Sequence, residues 1–184
     1  MGPPGAGKGT QARTIAAHYS IPAISTGDIF RVNVAEQTAL GQRAQCYMQA
    51  GEYVPDDLTN EMVRERLARD DCRPGFLLDG YPRTHDQVAW LDKILADSGG
   101  GLDAVVALAV DQEELVRRLV HRAEIEQRAD DTEEVIRRRQ QVYAEETAPL
   151  LAEYDARGLL VRVAGTGSVD QVSARIVEAL GARP

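Results

Sequence analysis

Cysteine is nearly absent from this chain. Its 184 residues hold two, Cys46 and Cys72, which form neither a C-x-x-C pair nor a zinc-ligand set. A disulfide framework is therefore excluded, and two isolated cysteines read as small hydrophobes in a reducing cytoplasm, the expected location. Basic residues are in deficit, with 21 Lys and Arg against 29 Asp and Glu and a formal charge of −8. That balance argues against nucleic acid or a membrane surface as partner. No apolar run is long enough to cross a membrane, no signal-peptide pattern is read, and there is no internal repeat or low-complexity tract. Trp90 is the only tryptophan and is expected to serve packing. What remains is ordinary: residues 1–184 suit a single domain, and 43% hydrophobic content suffices for a core. An acidic protein that binds anions must gather its cations locally, so the arginine positions carry information.

Glycine is concentrated at the start. Gly2-Pro3-Pro4-Gly5-Ala6-Gly7-Lys8-Gly9-Thr10 holds four glycines and one lysine in nine residues, and a helical pattern follows. Such a loop can turn successive N–H groups inward as an anion nest, and the helix behind it aims its positive end at the same point. The spacing Gly2-x4-Gly7-Lys8 fits a P-loop, except that Gly9 stands where Ser or Thr usually follows the lysine and Thr10 comes one place later. The bland alternative is a disordered Gly/Pro-rich leader.

Further along, Ala12, Ile15, Ala16 and Tyr19 share one helical face, leaving His18 in solvent. Four short apolar runs read as strands: Ile21–Ile24, Phe76–Leu78, Ala104–Val110 and Leu159–Ala164. Residues from about Asp28 to Arg69 read as a small helical insertion between the first two. Ser25-Thr26-Gly27-Asp28 opens a helix, whether or not it also meets a ligand. Asp79 ends the second strand, where open α/β sheets bind ligands, and a carboxylate there is costly unless paired or near a metal. A Mg²⁺ contact through water, since Mg²⁺ keeps its waters, is one role and a turn aspartate the other. Asp111 with Glu114, and Ser168 with Gln171, fit capping boxes. Arg118 and Arg122 are four apart and share a helix face. In Arg137-Arg138-Arg139, a run that is ordinarily a solvated face, only Arg139 lies near the Val135/Val142 stripe and is expected to point inward. Pro149 should interrupt a long helix that begins near Thr132 and ends at Gly158. Alternating strands and helices specify α/β with a parallel sheet.

The glycine loop, Ser25-Thr26-Gly27-Asp28 with Arg31, Asp79-Gly80-Tyr81-Pro82-Arg83 with Gln87, Arg118/Arg122, Arg128-Ala129-Asp130-Asp131, Arg139 and Thr147-Ala148-Pro149-Leu150 occur in one order along nearly the whole chain. That ordered set resembles adenylate kinase, a nucleoside monophosphate kinase family. The resemblance implies a P-loop NTPase-like fold, ATP + AMP ⇌ 2 ADP with Mg²⁺, and a monomer. It implies that Gly5, Ala6, Gly7, Lys8, Gly9 and Thr10 hold the ATP phosphates, with Arg118, Arg122, Gly165 and Gly167 completing the ATP side. It gives AMP to an arm over about 25–57, with Thr26, Arg31 and the Glu52, Tyr53, Val54 backbone, supported by Gly80, Tyr81, Pro82 and Arg83, and with Gln87 on the base. Lys8, Arg83, Arg118, Arg128 and Arg139 would serve the transfer itself, Arg128 and Arg139 also meeting AMP. Asp79 would reach Mg²⁺ through water. Phosphoryl transfer needs alignment and charge stabilisation rather than covalent chemistry, so no general base is named.

Two departures from the family matter. The lid, about 122–132, is short and has no cysteines, so no zinc is expected there. The apolar strand that feeds the loop in the family has no counterpart before Gly2, so Met1–Pro4 are expected to be poorly anchored and the strands at 76–78 and 104–110 to face a gap. A folded but catalytically weak nucleotide-binding module is the alternative to an active enzyme. A UMP/CMP kinase is the close competitor within the enzyme class, against which Thr26 and Gln87 lean to AMP.

Overall fold

A computed structural model of the chain describes residues 1–126 and 132–182, with side chains outside 120–126. Its elements run α1 (Lys8–Tyr19), β1 (Ala23–Ser25), α2 (Thr26–Ala35), α3 (Ala39–Ala50), α4 (Asp56–Leu67), β2 (Leu77–Asp79), α5 (His85–Asp97), β3 (Val105–Ala109), α6 (Gln112–Glu126), α7 (Glu133–Val142), α8 (Leu150–Ala156), β4 (Leu160–Ala164) and α9 (Val169–Gly181). The fold is α/β, with parallel strands flanked by helices.

The strands pair in twos. β1 lies parallel to β2, with Ala23 opposite Leu77 and Ser25 opposite Asp79, and β3 lies parallel to β4, from Val105 opposite Leu160 to Ala109 opposite Ala164. Met1 supplies what the free edge of β3 needs. Its carbonyl accepts from Leu108 N–H at 3.0 Å and its amino nitrogen donates to the Val106 carbonyl, the two bonds of a parallel partner opposite Ala107. The expectation of a loosely held start is therefore corrected: Met1 is tied to β3, and the Pro3 carbonyl accepts from Ala6 N–H at 3.1 Å. The reason is that buried backbone groups must be paired, and Met1 is the backbone within reach.

Local signals explain most boundaries. Gly7 (φ 90°) starts α1 and Ser20 (φ 56°) ends it. Ala12, Ile15 and Ala16 are buried as their spacing predicts, whereas Tyr19 is 43% exposed in the last turn, edge-on to His18. Ser25, Thr38, Thr84 and Thr132 each cap a helix through a side-chain oxygen. Ser168 and Gln171 form the full capping box before α9. Asp111 accepts from Glu114 N–H at 2.9 Å, but the Glu114 carboxylate turns to Arg118 rather than back to the cap, so that box is half made. The long helix expected from Thr132 divides into α7, a widened π turn over Tyr143–Thr147, and α8, with Pro149 at the α8 cap where its missing N–H costs nothing.

Two apolar clusters form the core. One gathers Phe30, Ala44, Val54, Met62, Val63, Tyr81, Leu91 and Leu95 beneath α2–α5, with Trp90 packed at its margin. The other gathers Ala6, Ile15, Leu108, Leu115, Val163, Val172 and Ile176 around β3 and β4. A third, smaller cluster of Val88, Leu150 and Tyr154 has Met1 against it. Cys72 is buried, but Cys46 is exposed on α3, so only one cysteine plays the expected apolar part.

α2 and α3 cross at Gly41, where a Cβ would sit 2.0 Å from the Asn33 carbonyl oxygen and 2.6 Å from Val34 N. Backbone cannot yield cheaply, so Gly41→Ala should cost about 2 kcal/mol or more and lower Tm by roughly 5 °C or more. Gly101→Ala meets nothing within 4 Å and should stay within about 0.5 kcal/mol; equal melting temperatures for the two variants would refute the crossing.

Candidate active site

One cleft of about 1170 Å³ runs from the glycine loop across the ends of β1 and β2 to α7. Its floor is the loop. Gly5 and Gly7 hold φ near 90°, and a Cβ on Gly5 would lie 2.9 Å from Leu119 Cγ, so α6 packs directly on the bend. α1 begins with no side-chain cap and no acidic residue in its first turn. Its first N–H groups and its dipole thus meet the cleft with no carboxylate of that turn competing for them. Lys8 Nζ donates to the Gly2 and Pro3 carbonyls at 2.7 and 2.9 Å, bracing the loop from inside. Gly9 earns its glycine: a Cβ there would be 3.3 Å from Asp79 Oδ2. The Asp79 carboxylate, at the end of β2, therefore lies against the first turn of α1, while Thr10 is exposed at its rim.

Arg118 joins the loop to the opposite wall. Its Nε donates to Glu114 at 2.6 Å, one terminal nitrogen to the Gly165 carbonyl at 2.9 Å, and the other to Ala6 O at 3.4 Å. Gly165 follows β4 closely, where a Cβ would come 2.7 Å from Val110 Cγ2, and Gly167 takes φ 110°. The side chain of Arg122, and all of Arg128 with the lid centre, lie outside the described residues.

Across the cleft sit the arm residues. Thr26, 2% exposed, donates to the Gly80 carbonyl at 3.0 Å. Arg31 pairs with Asp28 at the cleft wall. Gly80 needs its φ of 78°, since a Cβ would be 2.7 Å from the Arg83 guanidinium and 3.0 Å from Thr26 Oγ1. Arg83 Nε donates to the Gly80 carbonyl at 2.6 Å and its guanidinium lies 4.9 Å over the Tyr53 ring. Tyr53 and Thr147 hydroxyls are 2.8 Å apart, and Thr147 donates to the Arg83 carbonyl at 2.8 Å, so Tyr53 is the donor between them. The Tyr81–Pro82 peptide is cis. Burial pushes the Tyr81 phenol up, keeping it a donor to Asn60 at 2.6 Å. Val54 is buried beside Tyr53 in the cleft wall.

Of the arginine run, Arg137 is exposed and paired with Glu133, and Arg139 lines the cleft. Arg138 corrects the expectation that Arg139 alone turns inward. It binds Glu52 of the arm at 2.5 Å, because the Gly51 turn packs on α7 closely enough to bring the two together. Gln87 is 2% exposed: its Oε1 accepts from Arg83 N–H at 2.7 Å and its Nε2 donates to Asp56 at 2.5 Å, which leaves one N–H and one lone pair for a ligand. Thr147, Arg138 and Asp56 were not singled out by the sequence as site residues. A proline after Thr147 and another before Asp56 mark helix starts, and nothing local marks their partners.

Loop, helix N-terminus and strand ends together define a P-loop α/β protein. The profile of the family described as adenylate kinase matches residues 1–159. A protein named adenylate kinase from Nocardioides sp. is 61% identical over 184 residues, covering 100% of this chain and 96% of the relative. One from Leifsonia xyli subsp. xyli is 58% identical over 183 residues, covering 100% and 92%, and one from Thermobifida fusca is 55% identical over 183 residues, covering 100% and 97%. This chain belongs to the adenylate kinase family.

Proposed function

We propose that this chain catalyses ATP + AMP ⇌ 2 ADP, on the observation that one cleft holds an uncapped helix N-terminus behind a glycine loop on one side and Arg31, Arg83, Arg139 and Gln87 on the other. Two polyanions meeting end to end need that arrangement. The loop N–H groups from Gly5 to Thr10 take the phosphates of ATP, and Lys8 exchanges its two carbonyl partners for phosphate oxygens. Charge-assisted bonds to an anion are about twice as strong as neutral ones, which favours that exchange. Arg118, already bridging loop and Gly165 turn, closes the ATP side together with Arg122, and the Gly165 and Gly167 backbone borders the adenine.

On the acceptor side, Thr26 and Arg31 meet AMP, the Glu52, Tyr53 and Val54 backbone lines its base, Gly80, Tyr81, Pro82 and Arg83 support it, and Gln87 reads the base edge. Arg83, Arg128 and Arg139 spread positive charge over the phosphoryl group as it passes between nucleotides. Arginine forks suit this, since they match phosphate geometry and cannot lose their charge. The Asp79 carboxylate against Gly9 fits a hard cation that keeps its waters, and Mg²⁺ bound with ATP there would supply charge neutralisation at the phosphates. No side chain is assigned as a general base. Residues 25–57 act as the AMP arm and 122–132 as a short lid on one domain. The enzyme works as a cytoplasmic monomer without nucleic-acid or membrane partners, a reading supported by its acidic balance. No helix among the described residues is long and apolar enough to cross a membrane.

A coupled assay of ATP against AMP, CMP, UMP and GMP tests the reaction. AMP should be preferred about tenfold to a hundredfold, the cost of leaving a buried amide unmatched. CMP turnover equal to that of AMP would overturn the adenine assignment, and no turnover with any acceptor would overturn the reaction. Within the arginines, Arg83→Ala and Arg139→Ala should each lower turnover about 10²-fold, the loss typical of a transition-state charge partner, while Arg137→Ala, exposed and paired with Glu133, should change it little. Equal small effects for all three would reject the division of roles.

A further inference from the structure

We propose that Asp56 is a specificity-determining positioning residue, which fixes the polarity of the Gln87 amide and thereby lets the site distinguish an adenine base from a hypoxanthine one. The inference rests on the reading of AMP as acceptor and on Gln87 as the residue at its base.

Asp56 is the first residue of α4, at the root of the arm, and its carboxylate spans two side chains at the start of α5. Oδ1 accepts from Gln87 Nε2 at 2.5 Å and Oδ2 accepts from Thr84 Oγ1 at 2.7 Å. An ionised carboxylate only accepts, so the amide must turn its nitrogen toward Asp56. From the other end, the Arg83 backbone N–H only donates and holds Oε1 at 2.7 Å. The two contacts demand the same orientation. Thr84 is bound into the arrangement as well: its hydroxyl accepts from Gln87 N–H at 3.2 Å as the α5 cap, so its own proton goes to Asp56. The amide is thus left with one N–H and one lone pair at fixed positions in a side chain that is 2% exposed.

That polarity matters because purines differ in it. Adenine offers a donor at its exocyclic amine and an acceptor at the adjacent ring nitrogen. Hypoxanthine has the same outline with both reversed, an acceptor oxygen and a ring N–H. A freely rotating amide could serve either base by turning over, whereas a clamped one serves adenine and leaves hypoxanthine with like groups opposed. Removing Asp56 frees the nitrogen end while Arg83 still holds the oxygen end only by a single bond.

The test is a double-mutant cycle read as the AMP:IMP ratio of kcat/KM. Asp56→Ser keeps a residue suited to a helix start but is too short to reach Gln87, and should lower the ratio by about tenfold, the scale of one mismatched buried hydrogen bond, chiefly through the KM values. Asp56→Asn retains an oxygen for Nε2 and should keep the ratio within about threefold of wild type. In a Gln87→Ala background, Asp56→Ser should change the ratio by less than about twofold, since both act through one contact. An unchanged ratio in folded Asp56→Ser, or the same drop with and without Gln87, overturns the proposal while leaving the AMP reading in place. Wild-type protein that does not phosphorylate AMP overturns the reading and the proposal with it. Should Asp56→Ser not fold, a tenfold loss of the ratio in Asp56→Asn defeats the proposal and retention supports it.

Discussion

The structure depends on holding one strained loop rigid beside an open space. An anion nest is useful only if its N–H groups stay aimed at a point they do not themselves occupy, and a glycine-rich loop has little reason to do so alone. Here it is held from several directions. Met1 ties its start to β3 through the bonds with Val106 and Leu108. Leu119 of α6 presses on Gly5 from beneath. Lys8 and Arg118 grip carbonyls of the loop, at Gly2, Pro3 and Ala6. Each of these contacts uses the carbonyl side or the apolar underside of the loop, and none needs the N–H groups of the first turn of α1.

The same economy governs the cations. In a chain with eight more acidic than basic residues, carboxylates could neutralise every arginine. Arg83 instead leans on the Gly80 carbonyl and the Tyr53 ring, and Arg118 divides its fork between Glu114 and two carbonyls. A carbonyl is a weaker partner for a guanidinium than a phosphate is, so these groups can change partners on binding without uncovering a buried carboxylate. Carboxylate pairs do form at the cleft, Arg118 with Glu114 and Arg31 with Asp28, each within one turn of its own helix, whereas Arg138 with Glu52 and Arg137 with Glu133 serve attachment of the arm and the solvated face.

Legibility in the sequence followed the range of the interactions. The loop, the four strands and the caps at Ser25 and Ser168 rest on residues within a few places of one another, and their patterns survive in the linear chain. Asp56 with Gln87, Glu52 with Arg138 and Tyr53 with Thr147 are separated by 31, 86 and 94 positions. A pair at such distances leaves no period and no spacing rule, so Asp56 reads only as a helix start and Thr147 only as part of a motif. Arg138 was placed outward because its neighbours set the stripe, and the Gly51 turn that reaches it belongs to another part of the chain. Met1 shows a different error: the gap beside the 104–110 strand was legible, but not that its open backbone groups would bind Met1, a stronger constraint than the looseness common in terminal segments.

The two main apolar clusters share β2, which turns Leu78 toward the arm's cluster and Leu77 toward the cluster of β3 and β4, while no β2–β3 hydrogen bonds join the two strand pairs among the described residues. What links the halves is side-chain packing. α1 carries Ile15 into the β3–β4 cluster while its neighbours lie against β1 and β2, and α8 joins α5 through the bidentate pair of Arg157 with Asp92 and the contact of His85 with Glu153. Ion pairs of that exposure contribute little, with a median of about 0–1 kcal/mol, so the seam rests on α1 and on the buried packing of Val88 of α5 against Leu150 and Tyr154 of α8. A ligand that bridges the seam, touching the loop on one side and Arg83 and Gln87 on the other, would add its binding free energy to the cohesion of the two halves. Occupation of the cleft is thereby coupled to the relative position of its walls.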